Sequence, residues 1–194
     1  MKRNKIVKTA NDIISHTDVV NTYNKINPLP QGYILKDSDD WCAGFVSVVF
    51  AKNNYIKFAE CSVPRMITLA KKYGIYKERD YKPLKGDVII YDWDDVKDGD
   101  HVGIITNVNG GLLMVREGNV KGGFCNRAIY TDDSRITGYI APKYEDVTDE
   151  TKPTYKSIDD IVDGIIRGDF GNGDNRKENI FLYFQNLVNQ KMRG

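Results

Sequence analysis

Residues 37–50 read DSDDWCAGFVSVVF. Acids and a tryptophan lead straight into Cys42, and Cys42 into an apolar helical run. A buried structural cysteine needs no such setting; a reactive one does. A thiol attacks as the thiolate, so its ordinary pKa of about 8.5 must be lowered. The first turn of a helix offers unpaired backbone N–H groups and the positive end of the helix dipole. The pattern places Cys42 there, with Asp39 or Asp40 as N-cap. The thiol also needs a base, and the chain holds only two histidines, His16 and His101. His16 reads as surface. His101 opens a strand after the turn in DGDHVGIIT, a rigid place from which a side chain can reach a cleft. The next strand ends REGN, with Glu117 sixteen residues beyond His101. If the two strands form a hairpin, Glu117 and Asn119 approach His101, and being two apart they share a face. Cys42, His101 and an acceptor from Glu117 or Asn119 then form a nucleophile, a base and its orienting group, the set required for acyl transfer.

The elements that must position these groups follow from the apolar spacing. Residues 4–25 read as a helix with Ile6, Ile13, Ile14, Val19 and Val20 roughly on one side. NPLPQGYILKDSDD is loop. A second helix runs from Trp41 to about Lys52. A third covers SVPRMITLAKKYG, with Ser62 as cap, Pro64 in its first turn and Gly74 as its stop. The period then changes. GDVIIYDW, DHVGIITNV, LLMVREGN and ITGYIAPKY are short, β-rich and divided by turn formers, which predicts an antiparallel meander. Helices followed by a meander make an α+β domain over residues 1–144. Residues 145–156 are a polar, Pro-containing linker. Residues 157–194 return to helix, with Ile158, Ile161, Val162, Ile165 and Ile166 on one face, a turn at GDFGNGD and a further helix from Ile180 to Val188.

Composition narrows the function classes. The chain has 194 residues, 28 basic and 27 acidic, for a net charge of +1. That balance argues against a nucleic-acid partner. No apolar run approaches the roughly 20 residues of a membrane helix, so membrane insertion is not expected. Lys8, Asn11 and Asp12 interrupt any signal-peptide core near the start. Three widely spaced cysteines make neither a disulfide framework nor a zinc site. Cys61 and Cys125 read as structural.

Several blocks, in order, carry a resemblance. PLPQGY, DDWCAGFVS, ECSVPRM, KGDVIIYDW, GDHVGIIT, REGN and ITGYIAPKY together resemble the CHAP amidase/peptidase domains of phage lysins and cell-wall hydrolases. The likeness runs from about residue 8 to 144. It implies a papain-like fold, peptidoglycan as partner, and hydrolysis of an amide bond in it by an N-acetylmuramoyl-L-alanine amidase or an endopeptidase. Carried over residue by residue, Cys42 is the nucleophile, His101 the general base and acid, and Glu117 and Asn119 the orienting pair. Trp41 and Trp93 are expected to line the cleft. The Cys42 backbone N–H is one oxyanion donor and Tyr33 a candidate for the second. The tail, with RGDFGNGDNR at its centre, resembles the short cell-wall-binding repeat of some phage lysozymes. Phe170 stands where that repeat usually has tryptophan. Gly171, Asn172, Gly173 and Arg176 are the expected ligand contacts.

The resulting expectation is a monomeric phage or prophage endolysin with no required cofactor. It would stay in the host cytoplasm until released to the wall, or be secreted. Asp92, Asp94, Asp95, Asp98 and Asp100 raise a calcium reading, but their spacing is not that of an EF-hand loop, and a solvated turn is preferred. Two rivals stand beside this reading. One is a papain-like thiol hydrolase acting on proteins. The other is a catalytically idle wall-binding or phage structural protein.

Overall fold

The structure, a computed structural model, describes residues 1–93, 99–145, 157–167, 170, 176–177, 180–181, 183–184 and 188. The chain divides into two compact units, Met1–Asp146 and Val147–Gly194.

The first unit is α+β. Its start is two helices, not the single one expected: α1 (Arg3–Asp12) and α2 (His16–Tyr23). Ile13 is extended at the break, and Ser15 caps α2 by accepting from the Asp18 amide at 3.3 Å. The break lets Ile6 and Ala10 of one helix and Val19 and Tyr23 of the next all turn inward, while Ile14 stays 78% exposed. Helix α3 (Cys42–Ala51) is buried from Cys42 through Phe50. Its near-continuous apolar run demands this, because a helix hydrophobic all round has no face to give to water. Helix α4 (Val63–Lys72) buries only Val63, Met66 and Ala70. Pro64 lies in its first turn, and Gly74 follows its end with φ +66°.

Six strands follow: β1 (Tyr76–Glu78), β2 (Val88–Tyr91), β3 (His101–Asn109), β4 (Leu112–Val120), β5 (Gly123–Tyr130) and β6 (Ile136–Ile140). They form one antiparallel sheet in the order β1-β6-β2-β3-β4-β5. The meander expected from the sequence is therefore only partial. Strands β2 to β5 follow it, but β6 returns to the free edge of β2. Every residue of β2 is buried, so both its edges need ladder partners for their N–H and C=O groups. Val88, Ile90, Val102 and Ile104 join the core shared with the helices. Ile89, Tyr91, Ile105 and Val115 pack on the opposite face.

The described residues of the second unit are helical apart from a bend at Ser157 and a turn at Phe170. Ser157 caps α5 (Ile158–Arg167) by accepting from the Asp160 amide at 3.1 Å. The expected apolar face is split: Ile161 is buried, whereas Ile158, Val162 and Ile166 are exposed. Buried Phe170 meets Tyr183 edge-on, with ring centroids 5.5 Å apart.

Candidate active site

Cys42 is the first residue of α3, where backbone N–H groups lack intrahelical acceptors. Neither Asp39 nor Asp40 caps that helix. Its N-cap is Trp41, with no side-chain cap bond. Asp39 Oδ2 instead accepts from the Lys36 amide and the Tyr33 hydroxyl, each at 2.8 Å. Tyr33 is thereby committed to its own loop, so it is no candidate oxyanion donor. The helix terminus is pressed against β4 by a missing side chain. A Cβ on Gly118 would come within 2.5 Å of Trp41 Cζ3 and 2.9 Å of Phe45 Cβ.

His101 opens β3, opposite Tyr91 of β2, and is 8% exposed. Its Nε2 lies 3.4 Å from Glu117 Oε2, a charge contact at the long end of hydrogen-bond reach. The same imidazole shares the cleft with Cys42, whose thiol is near enough to favour the protonated ring. Glu117 of β4 is fully buried and stands across from Gly103, two residues along from His101. Gly103 makes the room, since a Cβ there would lie 2.9 Å from Glu117 Cγ. Glu117 and Gly118 point to opposite faces of the sheet. His101, at the strand's end, is where one imidazole can meet both the carboxylate on one face and the helix terminus on the other.

Asn119 departs from the expected alternation. Its φ is +63°, and the β4–β5 register shifts between Gly118 and Val120. The bulge turns its side chain away from the Glu117 contact, and Asn119 Nδ2 donates to Asp40 Oδ1 at 2.8 Å. Asn119 therefore ties the end of β4 to the loop that delivers Cys42; the acceptor beside His101 is Glu117.

The electrostatics follow from this packing. Burial pulls the His101 pKa down, but its hydrogen bonds to Cys42 and Glu117, and their charges, outweigh that and lift it from 6.5 to about 9. Burial pushes the Glu117 carboxyl up, but bonds from His101 and Arg127 hold it below its usual range. Arg127, on the strand missed in the sequence, donates from Nε to Oε1 at 2.8 Å and from Nη2 to Oε2 at 3.0 Å.

Cys42, His101 and Asn119 line an open cleft of about 380 Å³, together with Trp93, Asp100 and Cys61. Trp93 is 43% exposed, as a cleft wall requires. Trp41 is a correction. It is 2% exposed, stacks on His16 at 4.7 Å and meets Phe124 edge-on at 5.0 Å. An indole between a histidine, a phenylalanine and the Gly118 backbone belongs to the core, and His16 is likewise not a surface residue. All three cysteines are free. Among the described residues no group of three or more His, Cys, Asp or Glu could hold a metal ion. Asp94, Asp95 and Asp98 lie outside the described residues, as do Gly171, Asn172 and Gly173 of the tail. Arg176 is helical and half-buried. Among the described residues no helix is long and apolar enough to cross a membrane.

No curated protein matches the chain. A solved structure titled "The crystal structure of Ly7917" shares 11% identity, with a TM-score of 0.44 over 73% of this chain and 63% of that one. The chain thus spans less than two thirds of that protein. Residues 34–119 match the family model of the CHAP domain, a span that takes in Cys42, His101, Glu117 and Asn119, and this supports a CHAP-domain protein.

Proposed function

We propose that the chain is a cysteine-dependent amidase or endopeptidase acting on peptidoglycan, of the phage endolysin type. The observation that carries the reading is the meeting of three groups at one open cleft. Cys42 at a helix N-terminus and His101 line the same cleft, and His101 is backed from behind by the buried carboxylate of Glu117. The CHAP match over these residues supports wall amide bonds as the substrate.

In this reading Cys42 attacks the amide carbonyl as thiolate. Nε2 of His101 faces Glu117, which leaves Nδ1 for the sulfur. The imidazolium gives its proton to the leaving amine, and the neutral ring then takes one from the water that hydrolyses the thioester. The Cys42 backbone N–H, at the helix terminus, faces the developing oxyanion. Glu117 fixes the ring and stabilises its charge. Trp93, on the cleft wall, contacts the substrate. No step needs a metal or cofactor. The unit from 157 to 194 holds the enzyme to the wall, with Gly171, Asn172, Gly173 and Arg176 as its contacts.

Mass spectrometry of fragments released from purified Gram-positive sacculi tests the assignment. Wild type and Cys42→Ala are run side by side, with and without calcium. Release by wild type alone supports it, and the new ends name the bond: free L-Ala amino termini mean an amidase, amines inside stem or bridge an endopeptidase. If neither protein releases fragments from several wall types while both sediment with them, the hydrolase reading fails.

A further inference from the structure

We propose that Arg127 is a positioning residue of this site: its guanidinium fork fixes both oxygens of Glu117 and offsets the carboxylate's charge, so that Glu117 orients His101 without trapping its proton. The inference rests on the reading of Cys42 and His101 as nucleophile and base.

The geometry is specific. Arg127 Nε and Nη2 each donate to a different oxygen of Glu117, at 2.8 and 3.0 Å. Such paired bonds fix a carboxylate in its plane as well as in position. The guanidinium also lies over the rings of Tyr91 and Trp93, 5.8 and 5.5 Å from their centroids. Arg127 thus spans the orienting acid and the aromatic wall of the cleft. Among the described residues, the other charged group approaching a Glu117 oxygen is His101, whose Nε2 lies 3.4 Å from Oε2.

Charge balance gives the second argument. A thiolate, an imidazolium and a carboxylate sum to one net negative charge. Glu117 is fully buried and His101 nearly so, and a net charge in such a place is costly. Arg127 brings the sum to zero. It also limits how strongly Glu117 holds the imidazolium, which must later release a proton to the leaving amine.

Every charged or titratable group facing the relay has to be counted. Cys42 of α3, Tyr91 of β2 and Glu117 of β4 face His101. Arg127 and Cys125 of β5 lie beyond Glu117. Asp40 and Asp100 sit on the cleft. Of these, Arg127 is the cation nearest the Glu117 oxygens, at 2.8 and 3.0 Å against 3.4 Å for His101, so its removal has a definite sign. An unshielded carboxylate raises the His101 midpoint.

The test uses the full chain with ¹³C-labelled histidine. There are two histidines, and His16→Gln assigns the His101 signal. Its titration is followed by NMR in wild type, Arg127→Gln and Arg127→Lys. Wall hydrolysis is measured in parallel. In R127Q the His101 midpoint should move alkaline by about half a unit or more. In R127K the charge stays but the fork is lost. Its midpoint should stay at the wild-type value while kcat falls about tenfold with KM unchanged. If R127Q does not fold, Glu117→Gln and the E117Q/R127Q double variant supply the same comparison, with the double variant titrating higher. A folded R127Q, or the double variant, without that alkaline movement overturns the proposal. So does an R127K protein with full kcat, which would leave Arg127 as a simple tie for β5. If wild type cleaves no wall, the substrate reading falls, yet the NMR titration still decides the role of Arg127.

Discussion

The cleft has two walls built from the same parts. On one, Glu117 is fully buried, clamped by Arg127, and stands behind the thiol of Cys42. On the other, Glu60 is fully buried, clamped by Arg65 with Nε 3.0 Å from Oε2, and adjacent to the thiol of Cys61. Both thiols line the cleft. The difference is one imidazole. His101 stands between Glu117 and Cys42, so the carboxylate's charge is relayed into a protonated ring beside the sulfur. No imidazole stands at Glu60 and Cys61; the cation there is Arg65, whose Nη2 lies 3.2 Å from Glu60 Oε1 and 3.8 Å from the Cys61 sulfur. The Cys61 thiol lies 3.6 Å from Glu60 Oε1, and burial first, then the carboxylate's charge, pushes its pKa up. A carboxylate beside a thiol disfavours its ionisation; a carboxylate behind an imidazole favours the protonated ring.

The sharpest break in this comparison is the same substitution at both acids. Glu117→Gln removes the group that holds the His101 ring and its charge. The hydrolysis rate should fall about 100-fold, mostly in kcat, as expected for a lost partner of the base. Glu60→Gln should leave kcat within about twofold. Its effect is on the fold. Glu60 also accepts from the Cys61 amide at 2.8 Å, and its own backbone is pinned to α3 through Ser47, whose hydroxyl accepts from the Glu60 amide at 2.8 Å and donates to its carbonyl at 2.7 Å. Loss of one partner of a buried ion pair costs about 3–5 kcal/mol, less here because Arg65 is half exposed to water. Paired initial-rate and thermal-melt measurements separate the two. A Glu60→Gln protein that melts like wild type but has lost activity would place Glu60 in the reaction.

How much of this was legible in the sequence depends on which force decides each residue. Cys42 at a helix start, His101 at a strand start and Glu117 in the next strand follow from local pattern and turn spacing, and the structure brings them together. Arg127 does not follow. Its strand, GFCNRAIY, is an edge strand with little buried alternation, so no apolar period marks it. Its place opposite Val115, two ladder positions from the Glu117–Cys125 pair and so on the same face as Glu117, is set by the β4–β5 turn. Asn119 misleads for a related reason. Period-2 alternation puts it beside Glu117, but the bulge at Gly118–Val120 overrides the period. Trp41 misleads because nothing local distinguishes an indole on a cleft wall from one packed against a distant glycine. Cys61 reads as structural, yet it reaches the cleft because α4 begins there.

A smaller effect sharpens the comparison by pH. Iodoacetamide attacks thiolates. With a protonated His101 beside it, Cys42 should alkylate at neutral pH, with Cys61 at least tenfold slower; Cys61→Ala and Cys42→Ala assign the peaks in peptide mass spectra. The His101 midpoint is raised, so the imidazolium is present at neutral pH and is lost as pH climbs through about 9. The hydrolysis rate should therefore fall on the alkaline side near pH 9. The sign for stability is the same. The contribution from the shifted proton is full below the ordinary histidine value of 6.5 and is lost as pH rises through about 9. Equal labelling of the two thiols at pH 7 would erase the distinction between the walls.

The smallest expected effect is the most discriminating. Arg65→Lys and Arg127→Lys are one chemical change at two addresses. Arg65 contacts both oxygens of Glu60, Oε2 at 3.0 Å and Oε1 at 3.2 Å, so on contacts alone the pairs look alike. Their surroundings differ. The Arg65 side chain is 50% exposed and that of Arg127 28%. Water can replace what a lysine at position 65 fails to donate, and an ion pair this open contributes about 1 kcal/mol at most. Glu60 also keeps its bond from the Cys61 amide. Arg65→Lys should therefore melt within a few degrees of wild type and hydrolyse wall within about twofold of it. Arg127→Lys loses the fork next to the proposed base, and on that proposal should lose far more activity than stability. If the two lysine variants instead lose activity equally, the imidazole is not what separates the two walls, and Glu60 and Arg65 act on the substrate from the Cys61 side.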